Sequence, residues 1–372
     1  MHWTVIFFGG LALIGAHVLR LPRRTHVVGA IASFGVGLAL TAMMIKVVAG
    51  AVGLGRTTEF DGFVNRAIEI AKQDDGPLIV FTGASFSRNA LDDERLTLAL
   101  RERGYPHRVI NLSLESASIF ERDAHLKDFI ERSPRAPEIV FVEVAEEFDK
   151  RPTFFFNNSK FSTRAIEQFT PGVSWKTAKG LMGGGCAGAV DCGMQAGLLG
   201  AHTGLNALNI GLLSQGELTR EVKPQSSFSA LTEPRREMDH EDLRVQLATD
   251  PVVEKVEGDA WIKSARAEQR RRLQDENGVR TIGYYFPPVV EASLRAYVSG
   301  LCAGELASFT CINGDDPELL RDLPPEIWAD PYHMQDAGAA TYIKWLSDEL
   351  IASGVLEGAL ALRGSFGREA AH

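Results

Sequence analysis

The sequence contains no glycine-rich phosphate loop and no G-x-G-x-x-G fingerprint, so no organic cofactor is indicated. It also lacks a dominant basic stripe. With a net charge of -9 and a pI near 5.6, it does not have the balance of a nucleic-acid binder. Cysteine is scarce: the four residues form two close pairs, Cys186 with Cys192 and Cys302 with Cys311. Such pairs suit local disulfides in an oxidising compartment. Neither has the C-x2-C spacing of a zinc site and only His202 is near in sequence, so no metal centre is expected.

Charge is missing altogether from Thr4 to Leu19 and from Val27 to Ile45. Each stretch is close to the roughly 20 apolar residues that cross a bilayer core. Between them lie Arg20, Arg23 and Arg24 around Pro22, so the segment reads as a hairpin of two transmembrane helices. The positive-inside rule puts the arginines in the cytoplasm and everything after Gly55 on the outer side. Met1, His2 and Trp3 carry no Lys or Arg, and the arginines follow the apolar run instead of preceding it, unlike a signal peptide. The expected organisation is an anchor over 1–55 in a bacterial inner (cell) membrane and a periplasmic or extracellular domain over 56–372.

Beyond the anchor, helical spacing covers Thr57 to Lys72, and Pro77 to Thr82 is an apolar run of strand length, as in a strand buried on both faces. Arg88 to Gly104 reads as a helix, Arg108 to Leu112 as a strand, Ile119 to Arg132 as a helix and Glu138 to Val144 as a strand. Trp261 to Asn277 (helix), Val279 to Phe286 (strand) and Thr341 to Ser353 (helix) continue the rhythm, which implies an α/β sandwich around a mostly parallel sheet. Residues 150–260 break it and read as an insertion. Within it, Gly180 to Gly216 carries a single charge, Asp191, and suggests a glycine-rich lid or membrane-surface segment. Glu217 to Asp259 is charged and without pattern, as in a solvated excursion. His107, His125 and His240 lack partners at ligand spacing and are expected at the surface, and Arg270 to Arg272 is expected to form a solvated basic face.

Two elements carry chemistry. Gly83-Ala84-Ser85 ends a buried strand and opens a helical pattern, which presents a serine above the carboxyl ends of a parallel sheet. The Ser85 amide, near a helix N-terminus, can serve an oxyanion. Ser87 is close enough to compete as nucleophile but sits deeper in the helix start. Far along the chain, Asp330-Pro-Tyr-His333 precedes the last helix, and its spacing puts carboxylate and imidazole on one face of a single turn. His333 can then take the serine proton while Asp330 holds the tautomer.

The order of these blocks resembles the SGNH (GDSL-like) hydrolase and acyltransferase superfamily, over residues 77–149 and 262–355. Phe81-Thr-Gly83-Ala84-Ser85 resembles its first block and Asp330-Pro-Tyr-His333-Met-Gln-Asp-Ala-Gly338 its last. Val109-Ile-Asn111-Leu-Ser113-Leu-Glu-Ser116 and Ile139-Val-Phe-Val-Glu143-Val-Ala-Glu146-Glu147 resemble the middle two. The anchor and the serine-first order are similar to those of the D-alanine-transfer proteins of teichoic-acid systems, a membrane-anchored type.

That resemblance implies a three-layer SGNH-like sandwich with Ser85, Asp330 and His333 catalytic, and with the backbone amides of Ser85 and Ser116 as oxyanion donors. Asn111, Glu146 and Glu147 are expected to line the site. The family's asparagine donor falls on Glu147 or its neighbour Glu146, and an ionised carboxylate has no proton to donate. The implied function is O-acyl transfer, with acetyl as the expected group, to a surface polysaccharide, beside a multi-span membrane acyltransferase partner. A catalytically inactive glycan-binding or assembly subunit, or a membrane-tethered carbohydrate esterase, are the alternatives.

Overall fold

The computed structural model describes residues 55–57, 59–115, 117, 119–144, 188–194, 217–219, 223–258 and 260–357, with Gly37 and Gly197. The hairpin expected over 1–55 thus lies outside them but for Gly37 and Gly55, and among the described residues no helix is long and apolar enough to cross a membrane.

In chain order, β1 (Gly55–Thr57) precedes α1 (Glu59–Gln73), β2 (Leu78–Thr82), α2 (Ser85–Ala90) and α3 (Asp93–Glu102). Next come β3 (Arg108–Asn111), α4 (Ile119–Arg132), β4 (Ile139–Glu143), β5 (Glu217–Thr219) and α5 (His240–Ala248). Then α6 (Ala260–Arg271) runs into a π turn at Arg272–Glu276, followed by β6 (Thr281–Phe286), α7 (Ala292–Ala303) and β7 (Cys311–Asn313). The chain closes with α8 (Pro317–Arg321), β8 (Trp328–Asp330), β9 (His333–Met334) and α9 (Asp336–Ala352).

Five strands pair in parallel in the order β3-β2-β4-β6-β7. Alternation sorts their side chains to two faces. Ile79, Phe81, Ile139, Phe141 and Tyr285 pack with Leu96 and Leu100 of α3 and with Tyr342 and Leu346 of α9. Leu78, Val80, Val140, Val142, Tyr284 and Phe286 pack with Val64 of α1, Phe129 of α4 and Val298 of α7. Helices therefore cover both faces of an α/β core, which is why these strands read as unbroken apolar runs. Gly283 of β6 lies against the Phe141 ring, where a Cβ would come within 2.3 Å of a ring carbon. β2 is flanked by β3 on one side and β4 on the other, so the strand order reverses there; ligands of open α/β sheets bind outside the carboxyl ends at such a point.

Several expectations need correction. The helix expected from Arg88 to Gly104 is two, because the Asp92 side chain accepts the Glu94 and Arg95 amides and caps a new start for α3. The last helix begins at Asp336 rather than Thr341. His107 and His125 are buried, not at the surface. His125 sits between the carbonyls of Leu112 and Phe60, at 3.3 and 3.2 Å, and its burial pushes its pKa down from 6.5. Of the expected basic face only Arg271 is solvated; Arg270 donates to the Tyr284 hydroxyl and Arg272 pairs with Asp123.

The charged stretch after Glu217 is not a solvated excursion throughout. From 225 to 235 it is a strap tied across the carboxyl end of the sheet. The Gln225 amide donates to the Gly62 carbonyl at 3.1 Å and the Ser227 hydroxyl to the Asn111 carbonyl. Ser229 and Arg88 are joined at 3.0 Å, Asp336 and Leu231 at 2.8 Å, and Arg235 and Ala329 at 2.8 Å, all through backbone groups. Cys302 and Cys311 are bonded and tie α7 to β7, with Cα atoms 5.7 Å apart. Cys192 is also disulfide-bonded; its expected partner Cys186 lies outside the described residues.

Candidate active site

The serine turn is shaped by what lies beneath it. β2 ends at Thr82, Gly83 and Ala84 turn the chain, and Ser85 is the first residue of α2. A Cβ on Gly83 would fall 2.5 Å from both Glu143 Oε2 and Ser87 Oγ, so only glycine fits there. Ser87 is fully buried and its hydroxyl donates to Glu143. It is therefore not placed to act as a nucleophile. Ser85 is half-buried, and its amide has no acceptor among the described residues.

Asp330 and His333 face each other across β8 and β9, an antiparallel pair closed by Pro331 and Tyr332. They do not share a helical turn, as the spacing suggested. A tight hairpin puts residues i and i+3 side by side just as a helix does. The Tyr332 amide donates to Asp330 Oδ1 at 2.8 Å, a turn that the aspartate itself stabilises. His333 Nδ1 lies 2.8 and 2.9 Å from the two Asp330 oxygens, and its Nε2 lies 2.9 Å from Ser85 Oγ. Three residues from two distant segments thus meet within hydrogen-bond distance above β2. The carboxylate accepts a hydrogen bond from Nδ1–H, which leaves the Nε2 lone pair facing the serine hydroxyl.

Burial alone would raise the Asp330 pKa. The hydrogen bond and charge of His333, the Tyr332 amide and the Arg235 guanidinium outweigh it and hold the carboxyl below 3.8. The Phe86 ring lies parallel to the imidazole at 5.6 Å, and Phe86 in turn rests on Phe286 at 5.1 Å.

Two residues that the pattern did not single out complete the site. Arg235, on the strap, donates through Nη2 to Asn89 Oδ1 at 3.3 Å and holds Nη1 3.6 Å from Asp330 Oδ2. Nη1 is also 3.3 Å from His333 Nδ1. With the Nδ1 proton committed to Asp330, the attraction there is to the carboxylate. Glu143 ends β4 as the one charge in an otherwise apolar strand, a signal for a residue with a task. Arg235 carried no comparable signal.

Of the residues expected to line the site, Asn111 is buried and structural. Its amide nitrogen donates to the Leu91 carbonyl at 2.7 Å and its oxygen accepts the Ser113 amide at 2.9 Å, which joins the end of β3 to the helices after Ser85. Ser116, Glu146 and Glu147 lie outside the described residues.

A serine hydroxyl, an imidazole and a carboxylate in this relay can carry out nucleophilic acyl chemistry. Comparison with protein-family models finds no match, and no curated protein matches the chain.

Proposed function

We propose that this chain is a serine-dependent O-acyltransferase of SGNH type that works on the outer side of a bacterial membrane and acylates a surface polysaccharide through an acyl-Ser85 intermediate. The observation that carries the reading is the 2.9 Å approach of His333 Nε2 to Ser85 Oγ, with Asp330 on Nδ1. In the first half-reaction Ser85 Oγ attacks the carbonyl carbon of an ester donor while its proton passes to His333 Nε2. The oxyanion takes hydrogen bonds from backbone amides, that of Ser85 among them. Collapse expels the donor alkoxide, which leaves with the proton from His333. In the second half-reaction a glycan hydroxyl gives its proton to His333 and attacks the acyl carbon, and Ser85 Oγ recovers the proton as it departs. Asp330 stays ionised throughout and stabilises the imidazolium.

The acetyl group, the polysaccharide acceptor and a multi-span membrane partner come from the sequence resemblance, and the two-span anchor from the uncharged runs Thr4 to Leu19 and Val27 to Ile45. The test uses the full chain in detergent or nanodiscs, with p-nitrophenyl acetate as donor, with and without acceptor glycan, and a fluorophosphonate probe. Labelling and acyl release that need both Ser85 and His333 support the reading; a Ser85→Ala variant that behaves like wild type sinks it. Glycan-stimulated release favours transfer, and release indifferent to glycan favours the esterase alternative. A catalytically inactive subunit is the second reading, motivated by Glu146 and Glu147 standing where SGNH enzymes place an asparagine. An unlabelled wild type would favour it.

A further inference from the structure

We infer that Glu143 is the positioning residue of the nucleophile: a buried carboxylate that clamps the turn bearing Ser85. The inference rests on the reading of Ser85 as nucleophile and adds how the fold holds it. One oxygen, Glu143 Oε2, accepts the Ala84 amide at 3.0 Å, the Ser87 amide at 3.2 Å and the Ser87 hydroxyl. The residue before Ser85 and the second residue after it are therefore fastened to one atom. Between them lies the Ser85 amide, which has no acceptor among the described residues.

Register explains how a β4 residue reaches this turn. Thr82 pairs with Val142, so the next step along the two strands sets Gly83 beside Glu143. A buried carboxylate is costly unless paired. Here Arg122 Nη1 lies 3.7 Å from Oε1 and donates to the Glu143 carbonyl at 3.2 Å, and both side chains are almost wholly shielded from solvent. The absent Cβ of Gly83 gives the carboxylate its space. Gly83, Ser87, Glu143 and Arg122 thus form one device whose only exposed product is the attitude of Ser85. Glu143 does not touch the reacting atoms.

Glu143→Gln keeps an acceptor for the amides but removes the charge and turns an NH2 group toward Arg122. We expect kcat for p-nitrophenyl acetate and the rate of fluorophosphonate labelling to fall about 10- to 100-fold, the scale of misplacing a catalytic group by ~1 Å, with KM changed less than about 2-fold. Ser87→Ala removes one of the three donors and should fall about 3- to 10-fold with the same split between kcat and KM. Crystal structures of both variants should show Ser85 Oγ withdrawn from His333 Nε2. Wild-type rates in both folded variants, or an unchanged Ser85–His333 distance, overturn the inference. If Glu143→Gln does not fold, Ser87→Ala decides alone. If wild-type protein is not labelled at all, the proposed function fails, and the Ser85–His333 distance in the variant crystals still decides whether Glu143 sets the turn.

Discussion

Asp330→Asn tests the relay at its least ambiguous joint. Asp330 Oδ1 is held by the Tyr332 amide at 2.8 Å, which demands an acceptor, so the carboxamide oxygen must occupy that place. The new NH2 then takes the position of Oδ2, 2.9 Å from His333 Nδ1 and 3.6 Å from the Arg235 guanidinium. Two effects follow. The imidazolium formed during attack loses its counter-charge, and the NH2 competes with the retained oxygen, 2.8 Å from Nδ1, for that nitrogen and so raises the share of the tautomer whose proton sits on Nε2, where it cannot accept from Ser85. Opposite charges with centres about 4 Å apart attract by ~4 kcal/mol at an effective dielectric of about 20. At about 1.36 kcal/mol per decade that alone is ~10³ in rate, and the tautomer shift carries the loss toward ~10⁴. The assay is the second-order rate of fluorophosphonate labelling beside pre-steady-state acylation by p-nitrophenyl acetate, with circular dichroism to establish folding. A folded Asp330→Asn protein that retains more than about a tenth of the wild-type rate would refute the relay.

Other perturbations read different parts of the molecule. Because the Asp330 carboxyl is held below 3.8, its contribution to stability is present above that pH and lost as pH falls through the lowered value; melting temperatures of Asp330→Asn should depend less on pH between about 5 and 2. Burial lowers the His125 pKa from 6.5 although the Phe60 and Leu112 carbonyls oppose it, so the unfolded chain takes up a proton before the fold does and stability should drop as pH falls from about 7 to 5. Folded His125→Asn should show a shallower drop, and an equal drop would locate the acid sensitivity elsewhere. Removing the Cys302–Cys311 bond, which closes a separation of 9 residues, should cost ~2–3 kcal/mol in urea unfolding of the double serine variant. Arg235→Met should lower kcat about 5-fold, with a loss that shrinks as salt is added to wild type, because the guanidinium is about a third exposed and its attraction to Asp330 is screened.

Much of the core can be read from the chain itself. Leu78 to Phe81 and Ile139 to Val142 are buried and apolar at every position, as a strand covered on both faces favours. Spacing is less decisive. An Asp and a His three apart face each other on a helical turn and also across a two-residue hairpin, and nothing in Asp330-Pro-Tyr-His333 separates the two until Tyr332 is seen to donate back to Asp330. The buried histidines show the same limit. His125 is satisfied by the carbonyls of Phe60 and Leu112, partners that sequence spacing cannot reveal because they come from two other segments.

The strap fails to announce itself for a related reason. Periodicity records which side chains a segment buries, whereas residues 225 to 235 are held chiefly by hydrogen bonds to the backbone at Gly62, Arg88, Asn111, Ala329 and Asp336. A segment fixed in that way can spend its side chains on the surface and still deliver one of them, Arg235, to Asp330 within 3.6 Å. Glu143 is the opposite case. A carboxylate that ends a buried strand needs compensation wherever it lies, so its position alone demanded partners. Those partners include the Ala84 and Ser87 amides, one on either side of Ser85, which makes the least favourable residue of β4 the one best placed to hold the Ser85 turn.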